Sequence, residues 1–360
     1  MDIGSIGLTL LSFVVALGVL VFVHELGHFA VAKKVGVLVE RFSIGFGPVL
    51  LARRKGETEY AVSAVPMGGY VKMLGEEDEE EARDNPERAF STQSVGRRAA
   101  IVFAGPAMNF VFAFVVYALL FAAVGVELPS NEPRVGGVSS GLPAARAGLQ
   151  PGDRIVAVDG RPIATWEELS KTILASKGAH LRLTLEREGA RFPIEITPEL
   201  QQNRTIFGEP AGEVYRIGIE ASHEWQHVGP LSAVAMAGEQ TWSASLVVGK
   251  GLALMLQGRV PLRELGGPIA IARAAGQQAK AGARYFLSML AFLSVNLAIL
   301  NLLPIPALDG GHLAFFAVEG LLRRPLQARH REIAQQVGLL LLITLMVFVF
   351  YNDIHRLVQG

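Results

Sequence analysis

Apolar positions along the chain gather into four long runs, at residues 6–32, 99–124, 285–303 and 337–350. Between them lie stretches where polar and apolar residues alternate or mix. A helix needs about 20 apolar residues to cross a hydrocarbon core roughly 30 Å thick, so the four runs predict four membrane spans. The stretch Ser245 to Leu256 is apolar as well, but it is short and carries Lys250 in its middle. It is expected to be a surface or interfacial helix. Residues 37–47 and 58–65 carry β-branched and alternating sequence around a basic Arg53-Arg54-Lys55-Gly56 turn, which predicts a small sheet directly after the first span. From 127 to 222 the pattern changes to short strands with turn signals at close spacing. The fold class is therefore a multi-pass α-helical membrane protein with a small membrane-associated β-sheet and an inserted β-rich domain.

Basic residues orient the spans. Lys33 and Lys34 close the first run, Arg97 and Arg98 precede the second, and Arg323, Arg324, Arg329 and Arg331 lie between the third and fourth. By the positive-inside rule these segments face the cytoplasm, and both termini and the β-rich domain face outward. The first run is read as a span and not as a removable leader, because no basic segment precedes it. Glu76 to Glu81 reads as a solvated acidic loop.

Three ionisable groups interrupt the first span: His24, Glu25 and His28. Such groups are costly in a membrane and default to function, although side chains pairing inside a helix bundle are the alternative. On a helix, His24 and His28 project from one face and can hold one metal ion, with Glu25 beside them as general base. Counted from Leu8 at 1.5 Å per residue, they lie roughly 24 Å into the core, in its cytoplasmic third. The third span, running inward, ends in Asn301-Leu-Leu-Pro-Ile-Pro-Ala-Leu-Asp309-Gly-Gly-His312, where two prolines stop the helix and Asp309 follows. Asp309 thus reaches the depth of the histidines. A catalytic zinc site wants three protein ligands and a position for water, and two histidines with one carboxylate supply them.

Composition narrows the class. Of 360 residues 51% are hydrophobic and 18% charged, with zero net charge, which suits a membrane protein and suggests no nucleic acid partner. There is no cysteine, so Zn2+ would be held by His and carboxylate alone. His312 is a fourth ligand or, alternatively, a cap or an outer-shell partner. Asn109, in Gly105-Pro106-Ala-Met-Asn109, reads as an interhelical hydrogen bond, with substrate contact as the alternative.

In the β-rich stretch, Ala-Gly-Leu-Gln-Pro-Gly-Asp-Arg-Ile155, an Asp159-Gly160 turn, a capping box from Thr165 to Glu168, and strands Leu181 to Leu185 and Phe192 to Ile196 resemble a bacterial PDZ domain. Tyr215 to Ile219 resembles its peptide-binding loop and strand. The domain either captures peptide ends by strand addition or excludes bulky molecules by size.

His24-Glu25-x-x-His28 in a first span, Asn301-x-x-Pro304-x-Pro306-x-Leu308-Asp309-Gly310 at the end of a later one, and a PDZ domain between them together resemble the site-2 protease family of intramembrane zinc metalloproteases, in its bacterial RseP type. The resemblance implies zinc on His24, His28 and Asp309, with Glu25 as catalytic base. It also implies that Asn301 and Asn296 steady an unwound substrate and that the sheet with Gly45 and Gly47 pairs with it. The partners implied are the bilayer and single-span membrane proteins already trimmed on the outer side, such as anti-sigma factors or signal-peptide remnants. The location implied is the bacterial cytoplasmic (inner) membrane. Well-known members carry two PDZ domains, whereas this chain has room for one.

The expected organisation is a first span at 1–34, a hairpin sheet and acidic loop at 35–96, a second span at 97–126, the PDZ domain at 127–222, an outer-face amphipathic helical region at 223–282, and the last two spans at 283–360. Two other classes compete with this reading. One is a catalytically silent membrane adaptor, which has no need of Glu25. The other is a transporter, for which no paired broken helices or internal repeat are visible.

Overall fold

The computed structural model describes residues 3–76, 81–205, 207–261, 263, 266–324 and 326–359. Residues 77–80 of the expected acidic loop and Asp2 lie outside them. The chain forms two compact units, one of Met1–Ala123 with Pro230–Gly360 and one of Val124–Gly229.

The first unit opens with helix α1, Ile3–Lys34. Strands β1, Val39–Lys55, and β2, Thr58–Met73, follow. Both are longer than the alternation predicted, because the basic residues 53–55 continue the strand and the turn falls at Gly56, whose φ is +65°. The two strands fold over on themselves. Residues 41–44 have partners at 59–62 and also at 69–72, while 49–55 pair back onto 58–63. Residues 41–44 are therefore interior to the sheet. The segment 69–73 has no strand on its other side among the described residues.

Helix α2, Val95–Val124, contains Pro106. The second unit then comprises β3 (Val126–Pro129), β4 (Val135–Val138), α3 (Pro143–Arg146), β5 (Arg154–Val158), β6 (Arg161–Pro162), α4 (Trp166–Ala175), β7 (Leu181–Arg187), β8 (Ala190–Ile196), β9 (Glu199–Arg204), β10 (Pro210–Arg216), β11 (Ile219–Ala221) and β12 (His223–Gln226). Strands β6, β5, β7 and β8 form an antiparallel sheet. Its tight turns use Asp159-Gly160 and Glu188-Gly189, all four at positive φ, as two-residue hairpin loops of matching twist require. Ile155, Leu169, Leu183 and Leu185 are fully buried in one core, each contributing about 1.5–3 kcal/mol by leaving water. The Thr165 side chain accepts from the Glu168 N–H at 3.2 Å, and the Glu168 carboxylate accepts from the Ala164 N–H at 3.0 Å, which starts α4. Asp153, at the end of the Pro-Gly-Asp string, is buried and takes a two-pronged ion pair from Arg187 at 2.6 and 2.8 Å.

Returning to the first unit, α5 (Pro230–Leu256), α6 (Pro268–Ala281), α7 (Ala283–Asn301), α8 (Asp309–Leu322) and α9 (Ala328–Gln359) complete the chain. Among the described residues, four helices are long and apolar enough to cross a membrane: Gly4–Lys34, Val95–Val124, Ala283–Asn301 and Arg329–Val358. The stretch containing Lys250 belongs to α5, which is not among them. Its Ala237 and Ala244 pack with Ala113 and Tyr117 of α2 and Ala291 and Val295 of α7. Small residues let it lie alongside the middle of two spans. The start of α6 is held by Asp353 of α9, whose carboxylate accepts from the N–H groups of Gly267, Ile269 and Ala270 at 2.9–3.1 Å.

Candidate active site

The site is built where α1, α2 and α8 meet. Gly27 faces the Ala104 carbonyl and Gly105 faces the imidazoles of His24 and His28 so closely that a Cβ at either position would collide. The missing side chains let α2 pass directly behind the two histidines. Pro106 has no N–H for the turn before it, and its ring crowds the carbonyl of Val102. In that loosened turn the Ile101 carbonyl accepts from His28 Nδ1 at 2.9 Å. A carbonyl can only accept, so the proton sits on Nδ1 and the Nε2 lone pair faces the centre. Asn109, fully buried one turn further along α2, places its amide 3.1 Å from His24 Nδ1. A lone pair on His24 Nε2 requires a proton on Nδ1, which the amide oxygen would accept. Turning the amide over exchanges its nitrogen, which faces Nδ1, with its oxygen. The Asn109 oxygen is otherwise a buried atom without a partner, and this bond satisfies it.

Asp309 is brought in by a tight reversal. After α7 stops at Asn301, residues 302–308 turn back, and Gly310 and Gly311 press on the backbone of 302–306, where any Cβ would collide. The Leu-Asp-Gly-Gly string is thereby explained by packing. Asp309 sits in the first turn of α8, where a carboxylate is favoured by the helix dipole. Its Oδ2 lies 3.0 Å from His24 Nε2 and 3.6 Å from His28 Nε2, and the two Nε2 atoms are 3.1 Å apart.

These separations fit a metal. Ligand atoms about 2 Å from a tetrahedral zinc lie roughly 3.3 Å from one another. Asp309 Oδ2 is buried and makes no hydrogen bond of acceptable geometry despite its two close neighbours. The three atoms converge, all within 4.8 Å of one another. Among the described residues, His24, His28 and Asp309 form the group able to hold an ion, and His312 is not part of it.

Glu25 and His312 line a cavity of about 530 Å³ together with the three candidate ligands. One wall is the open strand edge, through Gly69, Tyr70, Val71 and Met73. A Cβ on Gly69 would stand 3.2 Å from Glu25 Cγ, so the absence of a side chain lets the strand run against the glutamate. Glu76, Arg331 and Glu332 give the cavity a polar rim.

The four residues expected to touch substrate are not brought to this cavity. Asn296 turns its amide back to the Phe292 carbonyl of its own helix, at 3.4 Å. Asn301 is half-buried at the end of α7, outside the lining. Gly45, at φ +91°, is closed in by the Ser63 and Val65 carbonyls, and Gly47 follows at φ +83°. The glycine pair shapes the fold-over of the sheet, and the edge beside Glu25 is 69–73.

Sequence reasoning assigned Arg98 only an orienting charge. It is buried, bonds Glu319 of α8 at 2.7 Å and stacks on Phe316, tying α2 to α8 beside the cavity. The signal available in sequence was an arginine directly against the start of the apolar run at 99–124, one turn before Val102.

Peptidase family M50 matches residues 12–345. The chain belongs to this family. A Mesorhizobium japonicum protein whose name includes the words zinc metalloprotease is 39% identical, covering 96% of this chain and 98% of its own length. The regulator of sigma-E protease RseP of Salmonella typhimurium is 35% identical over 98% of this chain and 100% of its own, and that of Escherichia coli K12 is 34% identical over 97% and 98%. The Salmonella alignment runs 450 positions against a chain of 360, so at least 90 of those positions have no counterpart here. A PDZ domain of a Listeria monocytogenes protein overlays 27% of this chain and 93% of its own, at 22% identity and TM-score 0.20. Membership in M50 makes this membrane protein a zinc-dependent metalloprotease of the site-2 type, and the adaptor and transporter readings fall away.

Proposed function

We propose that the chain cleaves the membrane-spanning segments of single-span proteins near the cytoplasmic face of the bacterial inner membrane, with His24, His28 and Asp309 holding zinc and Glu25 as the base. The observation that carries this reading is the convergence of three candidate ligand atoms, within 4.8 Å of one another, in a cavity that also contains Glu25 and an open strand edge. Zinc bound there supplies Lewis acidity, polarising a carbonyl and making water acidic enough to attack near neutral pH. Glu25 takes a proton from water as its oxygen bonds to the scissile carbonyl carbon, and returns a proton to the leaving amine as the C–N bond breaks. Ile101 and Asn109 fix the two imidazoles with their Nε2 atoms inward. Water enters past the polar rim.

A substrate helix hides its carbonyls in its own hydrogen bonds, and unwinding it in lipid exposes groups costing several kcal/mol each. Pairing with the edge at 69–73 would satisfy them and hold the scissile bond beside Glu25. Anti-sigma factors and signal-peptide remnants, trimmed on the outer side, are the substrate classes this reading favours. In the second unit a groove of about 370 Å³, lined by Leu142, Leu169, Ile173, Ile217 and Ile219, runs along β11, which has β4 as its strand partner. An apolar groove beside a strand edge supports capture of an extended peptide end over simple exclusion by size.

The test is cleavage of a single-span substrate by purified protein in detergent, comparing wild type with Glu25→Gln, each assayed for zinc. Cleavage by wild type alone, with both proteins holding one zinc, is expected. Activity should vanish with a chelator and return with zinc. Equal cleavage by the two proteins would remove Glu25 as base, and loss of zinc from Glu25→Gln would make it a ligand instead.

A further inference from the structure

We propose that Arg53, Arg54 and Lys55 form a binding site for the anionic headgroups of the cytoplasmic lipid leaflet, which seats the hairpin whose far edge walls the active cavity. The inference rests on the reading that the C-terminal end of α1 faces the cytoplasm.

The hairpin is fixed along α1 at two heights. At one end Gly69 touches Val21 and Glu25, and Phe42 packs between Phe22 and Phe29 at ring distances of 5.9 and 5.3 Å. At the other end Glu57, beside the turn, pairs with Lys33 at the end of α1 and with Arg88 at 2.8 Å. From Val21 to Lys33 the helix rises roughly 18 Å, which carries the sheet from the depth of Glu25 to the edge of the membrane.

Exposed side chains sort themselves along this axis. Strand register puts Val49, Leu50 and Leu51 beside Val62 and Ser63, at the deep end. Leu50 and Leu51 are 64% and 72% exposed, and Phe46, Val62 and Val65 are open as well. So many neighbouring apolar side chains facing outward beside a membrane helix suit acyl chains, not water. Arg53, Arg54 and Lys55 pair with Tyr60, Glu59 and Thr58 in the ladder, at the shallow end level with Lys33. They are exposed and make no ion pair among the described residues, whereas the other charges of this sheet are matched: Glu40 with Lys72 at 2.9 Å and Arg41 with Glu59 at 2.6 Å. Three adjacent unmatched cations at headgroup height, above an apolar surface at acyl-chain height, complement an anionic leaflet. Each contributes roughly a fivefold preference for anionic over zwitterionic lipid, reduced by salt. The bound strand turns at Gly56 into β2, which runs on to the 69–73 edge, so the same headgroups hold the cavity wall in place.

The test uses the full chain in phosphatidylcholine bilayers, with trace nitroxide-labelled phosphatidylglycerol or phosphatidylcholine reporting which lipid occupies the protein surface. Wild type should enrich phosphatidylglycerol, and R53Q/R54Q/K55Q should lose the enrichment several-fold while keeping its zinc. R323Q/R324Q, with the same number of cationic charges left in the wild-type hairpin, should retain most of it. Unchanged enrichment in the triple variant would overturn the proposal. Because the chain has no cysteine, Leu50→Cys carries a single fluorophore, which acyl-chain nitroxides should quench. Quenching by an aqueous ion instead would also overturn it. Neither readout depends on proteolysis, so failure of the protease reading would leave these results interpretable.

Discussion

At the scale of single residues, the site depends on atoms that are absent as much as on those present. Gly105 has no side chain because two imidazoles occupy its space, and Gly69 has none because the Ser43 carbonyl, Val21 and Glu25 all crowd it. Gly105→Ala should therefore lower zinc content, measured by metal analysis. Gly69→Ala should leave zinc bound and lower cleavage by pushing the strand from the glutamate. Asn109 carries a different prediction. If its amide oxygen fixes the His24 tautomer, Asn109→Ala should weaken zinc affinity or activity about 10–100-fold, and Asn109→Asp, which keeps an acceptor, should recover much of it. A chelator titration comparing the three proteins checks this. Equal affinity in all three would reduce Asn109 to a packing residue.

Among elements, the turns and helix ends decide where functional groups stand. The reversal after α7 delivers Asp309 because Pro304 and Pro306 end one helix and Gly310 and Gly311 allow the next to start against it. Asp353 closes the start of α6 from a different helix. Asp353→Ala should cost about 1–3 kcal/mol locally by leaving N–H groups buried without an acceptor, visible as faster amide exchange at residues 269–270. In the second unit, burial pushes the Asp153 carboxyl up, but the Arg187 guanidinium and the Gln150 N–H outweigh this and hold it below the ordinary carboxylate value. A carboxyl with a lowered folded pKa contributes stability that is fully present above its unfolded value, near 3.9, and is lost as pH falls through the folded value. Amide exchange in β5 and β7 of the full chain should thus be steady from neutral pH to about 5, after correction for the intrinsic pH dependence of exchange. Protection should then weaken in stronger acid, and Arg187→Ala should remove much of that acid dependence.

For the whole molecule, the proposed function has a water-dependent reaction inside a membrane protein, in a cavity one wall of which is a strand edge and whose lining includes Glu76, Arg331 and Glu332. A substrate that unwinds cheaply should be favoured. Placing Gly or Pro in the span of a single-span substrate is expected to raise its cleavage rate, while a poly-leucine span should be cut slowly. No difference between them would show that helix opening does not limit the reaction. The same architecture predicts that a chelator stops cleavage without unfolding the helices, since the bundle is held by apolar packing and by the Arg98–Glu319 pair.

The sequence by itself determined the four spans and singled out His24, His28 and Asp309 as candidate ligands, because apolar run length, the i, i+4 spacing and the proline stop are local properties of the chain. It also determined the Asp159-Gly160 turn, the capping box that starts α4 and the strands at 181–185 and 192–196 of the second unit, which lie within β7 and β8. Tertiary structure decided what depends on distant partners. Asn109 became a brace for His24 only when α2 crossed α1, and Arg98 became an inter-helix tie only when Glu319 came within 2.7 Å. The strand edge beside Glu25 went to 69–73 and not to Gly45 and Gly47, because β1 and β2 fold over on themselves. Which strand ends at an edge is set by pairing across the sheet, and no local pattern in either strand encodes it.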